Sequence, residues 1–276
     1  MALHEQAMLV NLNISMWDAR KYDKVATHDV ETKHGANDAG RFNKLLIDRT
    51  ALDPLVKVSG AARQHHYKLT LPWGDNGDRL LPSKMYFKYT SDMRTFKNKI
   101  EKAAEEFVAL YPSLVQAARK RLGTLYDPRD YPSATDVRKR FGMEMSFMPV
   151  PAAQDFRVDV AAEDAQLIKA DITRIVDERQ KAAVIDLHAR AKEMVVRVHT
   201  RLSSEKPIIH DTLMTNLEGL VGLVSAFNTH KDPELVQLED DLRTLIRKPE
   251  QLRARPEVRS KTLEAANDVI TRMKWA

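Results

Sequence analysis

The chain has 276 residues, 43% of them hydrophobic, a formal net charge of +5 and no cysteine. That length supports one large or two modest domains with a real core. The lack of cysteine excludes disulfide scaffolds, thiolate metal sites and cysteine nucleophiles, and suits a reducing cytosol. No apolar run approaches the ~20 residues of a membrane span, and residues 1 to 16 lack the cationic and apolar regions of a secretory leader. The expectation is a cytoplasmic protein with no membrane partner.

Residues Met8 to Trp17 alternate loosely, with Val10, Leu12, Ile14 and Met16 on one side, which predicts a strand. Tyr22 to Gly40 is polar and reads as a loop or frayed helix. Phe42 to Ile47 suggests a short helix, and Leu52 to Arg63 a second, with Asp53 as N-cap and Pro54 in its first turn.

A two-stranded segment is expected next, Tyr67 to Trp73 and Lys84 to Tyr89, joined through Pro72-Trp73-Gly74-Asp75-Asn76-Gly77-Asp78. Period-two spacing sets Lys68, Lys84, Tyr86 and Lys88 on an outer face, with Met85, Phe87 and Tyr89 inside. Ammonium groups beside a ring are the smallest arrangement for holding a nucleic-acid strand, with phosphates on the lysines and a base on the tyrosine. Lysines also guard ordinary sheet edges against aggregation.

Ser91 can cap a helix carrying Met93, Phe96, Ile100, Phe107 and Leu110 at three- and four-residue steps. Pro112 starts or kinks a further run that ends at Gly123. Tyr126 to Pro151 is a proline-rich connector with a helical turn at Asp136 to Arg140 and a strand through Met143, Met145 and Phe147.

From Ala161 to Leu202 there is neither proline nor glycine, and Ile168, Ile172, Ile175, Leu187, Val195, Val198 and Leu202 form one stripe. Such a helix reaches ~60 Å and needs other helices or another subunit to cover it. Pro207 breaks it. Asp211 or Thr212 can cap the next helix, Pro233 opens another, and Arg259 to Trp275 forms a last one. The fold class expected is α+β, mostly α: a small antiparallel hairpin sheet packed by helices, then a long-helix antiparallel bundle or coiled coil. Composition places a domain division at residue 158, giving 1–158 and 159–276.

The positive charge is uneven. Residues 1–158 carry 25 Lys and Arg against 19 Asp and Glu, and residues 159–276 carry 19 against 20. Lys84 to Arg140 holds 13 basic and 7 acidic residues, an excess that favours anionic partners. Arg138, Lys139 and Arg140 add to the candidate phosphate contacts.

Catalytic signatures are mostly missing: there is no phosphate-cradling glycine loop, nucleophile elbow, His-Glu-x-x-His or paired-cysteine zinc site. His210-Asp211, preceded by His188 and His199 and followed by Asp240 and Asp268, faintly resembles the metal-dependent HD phosphohydrolases, where such groups hold a water-activating ion. Pro207 upstream departs from that pattern, and Asp211 reads more simply as a helix cap. No cofactor or resident metal is expected.

Trp17-Asp18-Ala19-Arg20-Lys21, Leu69-Thr70-Leu71-Pro72, Tyr131-Pro132-Ser133-Ala134, Phe141 and Met148-Pro149-Val150-Pro151 resemble a bacterial and phage protein family of unknown function. Its members are often encoded near MoxR-type ATPase genes. The resemblance covers about the first 150 residues; it implies a phage setting, with the host cytoplasm as the location, and supplies no catalytic residues.

Three functional classes follow. The first is a non-catalytic nucleic-acid-binding protein of phage DNA metabolism, favouring single-stranded DNA. The second is a helical interaction or assembly protein, pairing with itself as a homo-oligomer or with an ATPase through Val184, Ala191 and Met194. The third is a metal-dependent hydrolase using His210 and Asp211.

Overall fold

A computed structural model describes residues 3–205 and 207–272. In chain order its elements are α1 (Leu3–Gln6), β1 (Ala7–Ser15), β2 (Arg20–Tyr22), α2 (Lys24–His34), β3 (Asn43–Leu45), α3 (Asp53–Leu69), β4 (Leu71–Pro72), β5 (Asp78–Pro82), α4 (Tyr86–Leu122), α5 (Ala134–Arg138) and β6 (Gly142–Pro149). The remainder is helical: α6 (Ala162–Leu202), α7 (Asp211–Phe227), α8 (Pro233–Arg243), α9 (Pro249–Ala254) and α10 (Pro256–Arg272). This is the mostly helical α+β architecture expected, with a four-stranded sheet in the order β4-β5-β1-β6 and a separate β2-β3 ribbon.

Contacts divide the chain into two compact units, and each is built from separate stretches. The first comprises Met1–Asn11, His65–Tyr89 and Ser146–Ala276; the second comprises Leu12–Gln64 and Thr90–Met145. The sequence division at residue 158 follows composition, whereas these units follow packing.

In the first unit, β5 pairs antiparallel with both β1 and β4, with Leu80 opposite Leu9 on one side and Leu71 on the other. All three side chains are buried. The reversal between β4 and β5 uses Gly77 at φ +89°, a conformation that glycine enters without a Cβ clash. Helix α6 supplies Leu187, Val195 and Val198 to a continuous core, α7 supplies Leu217 and Val224, α8 supplies Leu238 and Leu242, and α10 supplies Val269. The expected continuation of the last helix through Trp275 lies outside the described residues.

The apolar stripe of α6 is buried only along its second half. Ala183, Leu187, Ala191, Val195, Val198 and Leu202 are covered, while Ile168 and Ile175 remain 37% and 39% exposed. The three residues expected on an open second stripe lie inward instead: Ala191 is fully buried, and Val184 and Met194 pack against the core. They sit beside Leu187 and Val195 on the helical wheel, which is why the core absorbs them.

In the second unit, Trp17 meets Phe107 and Tyr111 edge-on at 6.3 and 5.8 Å, and Phe107 meets Phe141 at 5.5 Å. Lys44 of β3, 7% exposed, bonds Asp23 at 2.9 Å, Asp130 at 2.7 Å and the Leu125 carbonyl at 3.0 Å. Asp23 also caps α2 by accepting from the Ala26 amide, so one lysine fixes the start of a helix and a distant loop. Burial alone would lower the Lys44 pKa; hydrogen bonds from its ammonium to Asp130 and Asp23 reverse that and hold it above the ordinary value.

Several expectations are corrected. Phe42 to Ile47 forms no helix; Asn43–Leu45 pairs with Arg20–Tyr22 in antiparallel register, with Lys44 aimed at its carboxylates. Tyr67 to Leu69 is the last turn of α3 and not strand. Lys84 to Tyr89 is also helical: Pro82 ends β5, Ser83–Met85 forms a 3-10 turn, and α4 starts at Tyr86. Ser91 therefore lies inside α4 and caps nothing, and Pro112 is carried within the same helix. A hairpin does form around the expected turn, but its strands are Leu71–Pro72 and Asp78–Pro82, the second lying wholly before the segment expected to supply it.

Candidate nucleic-acid interface

The helical reading of Lys84 to Tyr89 redistributes its side chains. Met85, Tyr89 and Met93 follow i, i+4, i+8 spacing, so Tyr89 and Met93 turn inward and are fully buried. Tyr89 donates or accepts a 2.8 Å hydrogen bond with Nδ1 of His66. Phe87 then points the other way and is 82% exposed. Lys84 and Lys88 flank it, both exposed.

Tyr86, expected as the stacking ring, is half-buried, its ring edge-on to Phe87 and to Phe147, each at 5.4 Å. The ring offered to solvent is thus Phe87, which strand periodicity had placed on the inner face. Tyr86 braces it, and Phe147 in turn backs Tyr86.

Lys68 stands on the last turn of α3, close enough to Lys88 for like-charge repulsion to act between them. The end of that helix is held by two arginines. Arg190 donates to the carbonyls of Tyr67 at 2.9 Å and Thr70 at 3.0 Å, and pairs with Asp186 at 2.7 Å. Arg79 donates to the Thr70 hydroxyl at 2.7 Å and lies over the Tyr67 ring at 4.8 Å. These contacts satisfy the orphan carbonyls of a helix C-terminus.

Beside this junction, Lys68, Arg190 and Arg197 line a cavity of about 220 Å³ with Glu193 and Asn216, over an apolar floor of Met194 and Leu220. Lys68 donates to Oδ1 of Asn216 at 2.8 Å. Burial first, and Lys88 second, hold its pKa below the ordinary lysine value. His66, 3% exposed, is likewise pushed down to about 4 by burial and by Arg79.

No protein-family model, curated protein or solved structure matches this chain. The site therefore rests on its own geometry.

The structure brings Lys68, Lys84, Tyr86 and Lys88 into the first unit. Arg138, Lys139 and Arg140 belong to the second, at the end of α5. There Lys139 pairs with Asp136 at 3.2 Å and Arg138 donates to the Phe141 carbonyl at 3.3 Å. The cavity residues Arg190, Arg197 and Asn216 are additions that no local pattern announced; the only hint was the seven-residue spacing of the two arginines, which sets them on one helical face.

The His210-Asp211 pair takes a different role from either expected one. Asp211 is the first residue of α7, and its carboxylate pairs with Arg253, which also donates to the Ile209 carbonyl at 2.9 Å. A guanidinium thus occupies the carboxylate that an ion would require. Among the described residues no group of three metal-ligating side chains comes together, and no helix is long and apolar enough to cross a membrane.

Proposed function

We propose that this chain is a non-catalytic nucleic-acid-binding protein that holds single-stranded DNA on its first unit, in a phage DNA-metabolism setting. The observation that carries the reading is Phe87, 82% exposed between two exposed lysines. An exposed ring flanked by exposed lysines offers base stacking and phosphate contacts together. Lys84 and Lys88 meet phosphates, Phe87 stacks, Tyr86 supports the ring, and Lys68 extends the cationic surface toward the cavity. Arg138, Lys139 and Arg140 remain proposed as a separate phosphate-contacting cluster on the second unit.

A gel shift with single-stranded DNA at two salt concentrations tests this. Binding should weaken with salt, and the K84A/F87A/K88A variant should lose most of it. Loss of the stack costs about 1–3 kcal/mol, and two fewer phosphate contacts flatten the log–log salt dependence by about 1.4. If the triple variant binds as tightly as the parent, this surface is not the site.

A second reading, self-association or an ATPase partnership, is favoured by a different observation. The first half of α6 leaves Leu167 70%, Ile168 37% and Ile175 39% exposed, and Ala165, Ile168, Ile172 and Ile175 keep the alternating three- and four-residue steps of a coiled-coil seam. Light scattering over a wide concentration range should then show a mass above the monomer that I168E/I175E abolishes. A monomer throughout removes the self-pairing form.

A further inference from the structure

The cavity beside Lys68 differs from the open surface around Phe87 in shape and in chemistry. Its volume of about 220 Å³ holds several waters, which gives room for a phosphate and its sugar. Three cations and one carboxylate line it. Arg190 is committed to the carbonyls of Tyr67 and Thr70 and to Asp186, so it contributes field. Lys68 has three donors and, among the described residues, one hydrogen bond, to a neutral amide oxygen. Arg197 presents its guanidinium to Glu193 at 2.6 Å at a half-exposed rim.

The lysine's path is cleared by a glycine. A Cβ on Gly219 of α7 would stand 3.1 Å from Cε and 3.4 Å from Nζ of Lys68. Glycine inside a helix costs about 0.5–1 kcal/mol relative to alanine, and here its absent side chain lets the ammonium reach Asn216. Lys68 is held with a lowered pKa by burial and by Lys88, so an anion placed against it would relieve both.

We propose that this cavity binds a phosphate monoester, its oxygens taken by Lys68 and Arg197 and its sugar laid on Met194 and Leu220. That chemistry is shared by a free nucleotide and by the phosphorylated end of a DNA strand. The strand form rests on the binding reading above, because Lys88 links the cavity to the Phe87 surface; the free-nucleotide form does not. Glu193 competes with the phosphate for Arg197 and repels it, acting as a built-in weakener.

The test compares short strands of one sequence carrying a terminal phosphate at either end or none, together with a deoxynucleoside monophosphate, by anisotropy and calorimetry. One phosphorylated end should bind about tenfold tighter than the hydroxyl end, the worth of a charge-assisted contact. K68M and R197A should erase that ratio, and E193Q should enlarge it, a gain that no folding defect produces. The K84A/F87A variant, which keeps Lys88 beside the cavity, should weaken all strands equally and leave the ratio intact. Equal binding of all strands with no saturable binding of the monophosphate overturns the cavity site while leaving the surface reading in place. If no strand binds but the monophosphate binds and K68M abolishes it, the surface reading falls and the cavity stands as a nucleotide site.

Discussion

Two lysines withdrawn from water meet opposite fates in the two units. Lys44 is 7% exposed and lies between two carboxylates; its charge is stabilised and its pKa rises. Lys68 reaches its cavity with an amide as hydrogen-bond partner and with Lys88, Arg190 and Arg197 nearby, and its pKa falls. Burial acts in the same direction on both. The difference lies in the anions supplied: the first lysine is a finished structural device, and the second carries a charge that its surroundings do not neutralise. Such an asymmetry is what separates a scaffold cation from a ligand-binding one.

The comparison breaks most visibly at Lys44. Substitution K44M would leave Asp23 and Asp130, 12% and 13% exposed, without their cation, and should destabilise the protein by about 3–5 kcal/mol. Urea denaturation at neutral pH reads this directly. Neutralising the carboxylates as well, in K44M/D23N/D130N, should recover a large part of the loss. A K44M cost under about 1 kcal/mol would mean that the hub is ornamental.

His66 sharpens the same contrast from the side of Lys68. It is buried with a phenol partner and, among the described residues, no carboxylate bonded to it, and its pKa falls from 6.5 to about 4. Between those values the unfolded chain binds more protons than the folded one, so stability rises with pH across that window. The contribution is complete above 6.5, declines as pH falls toward 4, and amounts to about 3 kcal/mol at most. Chemical denaturation at pH 7, 5.5 and 4 should show this decline, and H66N should flatten that part of the profile. An unchanged profile in H66N would assign the acid sensitivity elsewhere.

Much of this architecture is legible in the sequence where a single periodicity runs long enough. Forty residues without proline or glycine announce α6, the alternation of Met143 to Phe147 announces β6, and Gly123, at φ +54°, marks the end of α4. Lys84 to Tyr89 misleads because six residues satisfy both a period of two and an i, i+4 pattern. The discriminating signal was Pro82, which stops the strand before the segment begins. That misreading moved Phe87 from the surface to the core and Tyr86 the other way. Beyond the shared helical face of Arg190 and Arg197 the cavity was not legible, since Lys68, Arg197 and Asn216 meet only through packing of α3, α6 and α7, across more than a hundred residues of chain. Lys44 was hidden for the same reason, as its partners lie at Asp23 and Asp130.

The smallest expected effect belongs to K68M, and its smallness is the point. Methionine keeps most of the stem's apolar packing, removes an ammonium that burial and Lys88 penalise, and forfeits one hydrogen bond to Asn216 worth about 1 kcal/mol. These opposing contributions should leave stability within about 1 kcal/mol of the parent, a small fraction of the K44M loss. The pH dependence should also differ in sign. A lowered lysine pKa means that the parent gains stability relative to K68M as pH climbs toward 10.5, the ordinary value. For Lys44 the raised pKa gives stability that is complete below 10.5 and lost as pH rises through the folded value. Denaturation of parent, K44M and K68M between pH 7 and 10.5 should therefore show the parent's advantage over K68M increasing, while its advantage over K44M declines only at the top of the range. If K68M instead destabilises as severely as K44M, Lys68 is a structural cation like its counterpart, and its cavity loses the unneutralised charge on which ligand binding depends.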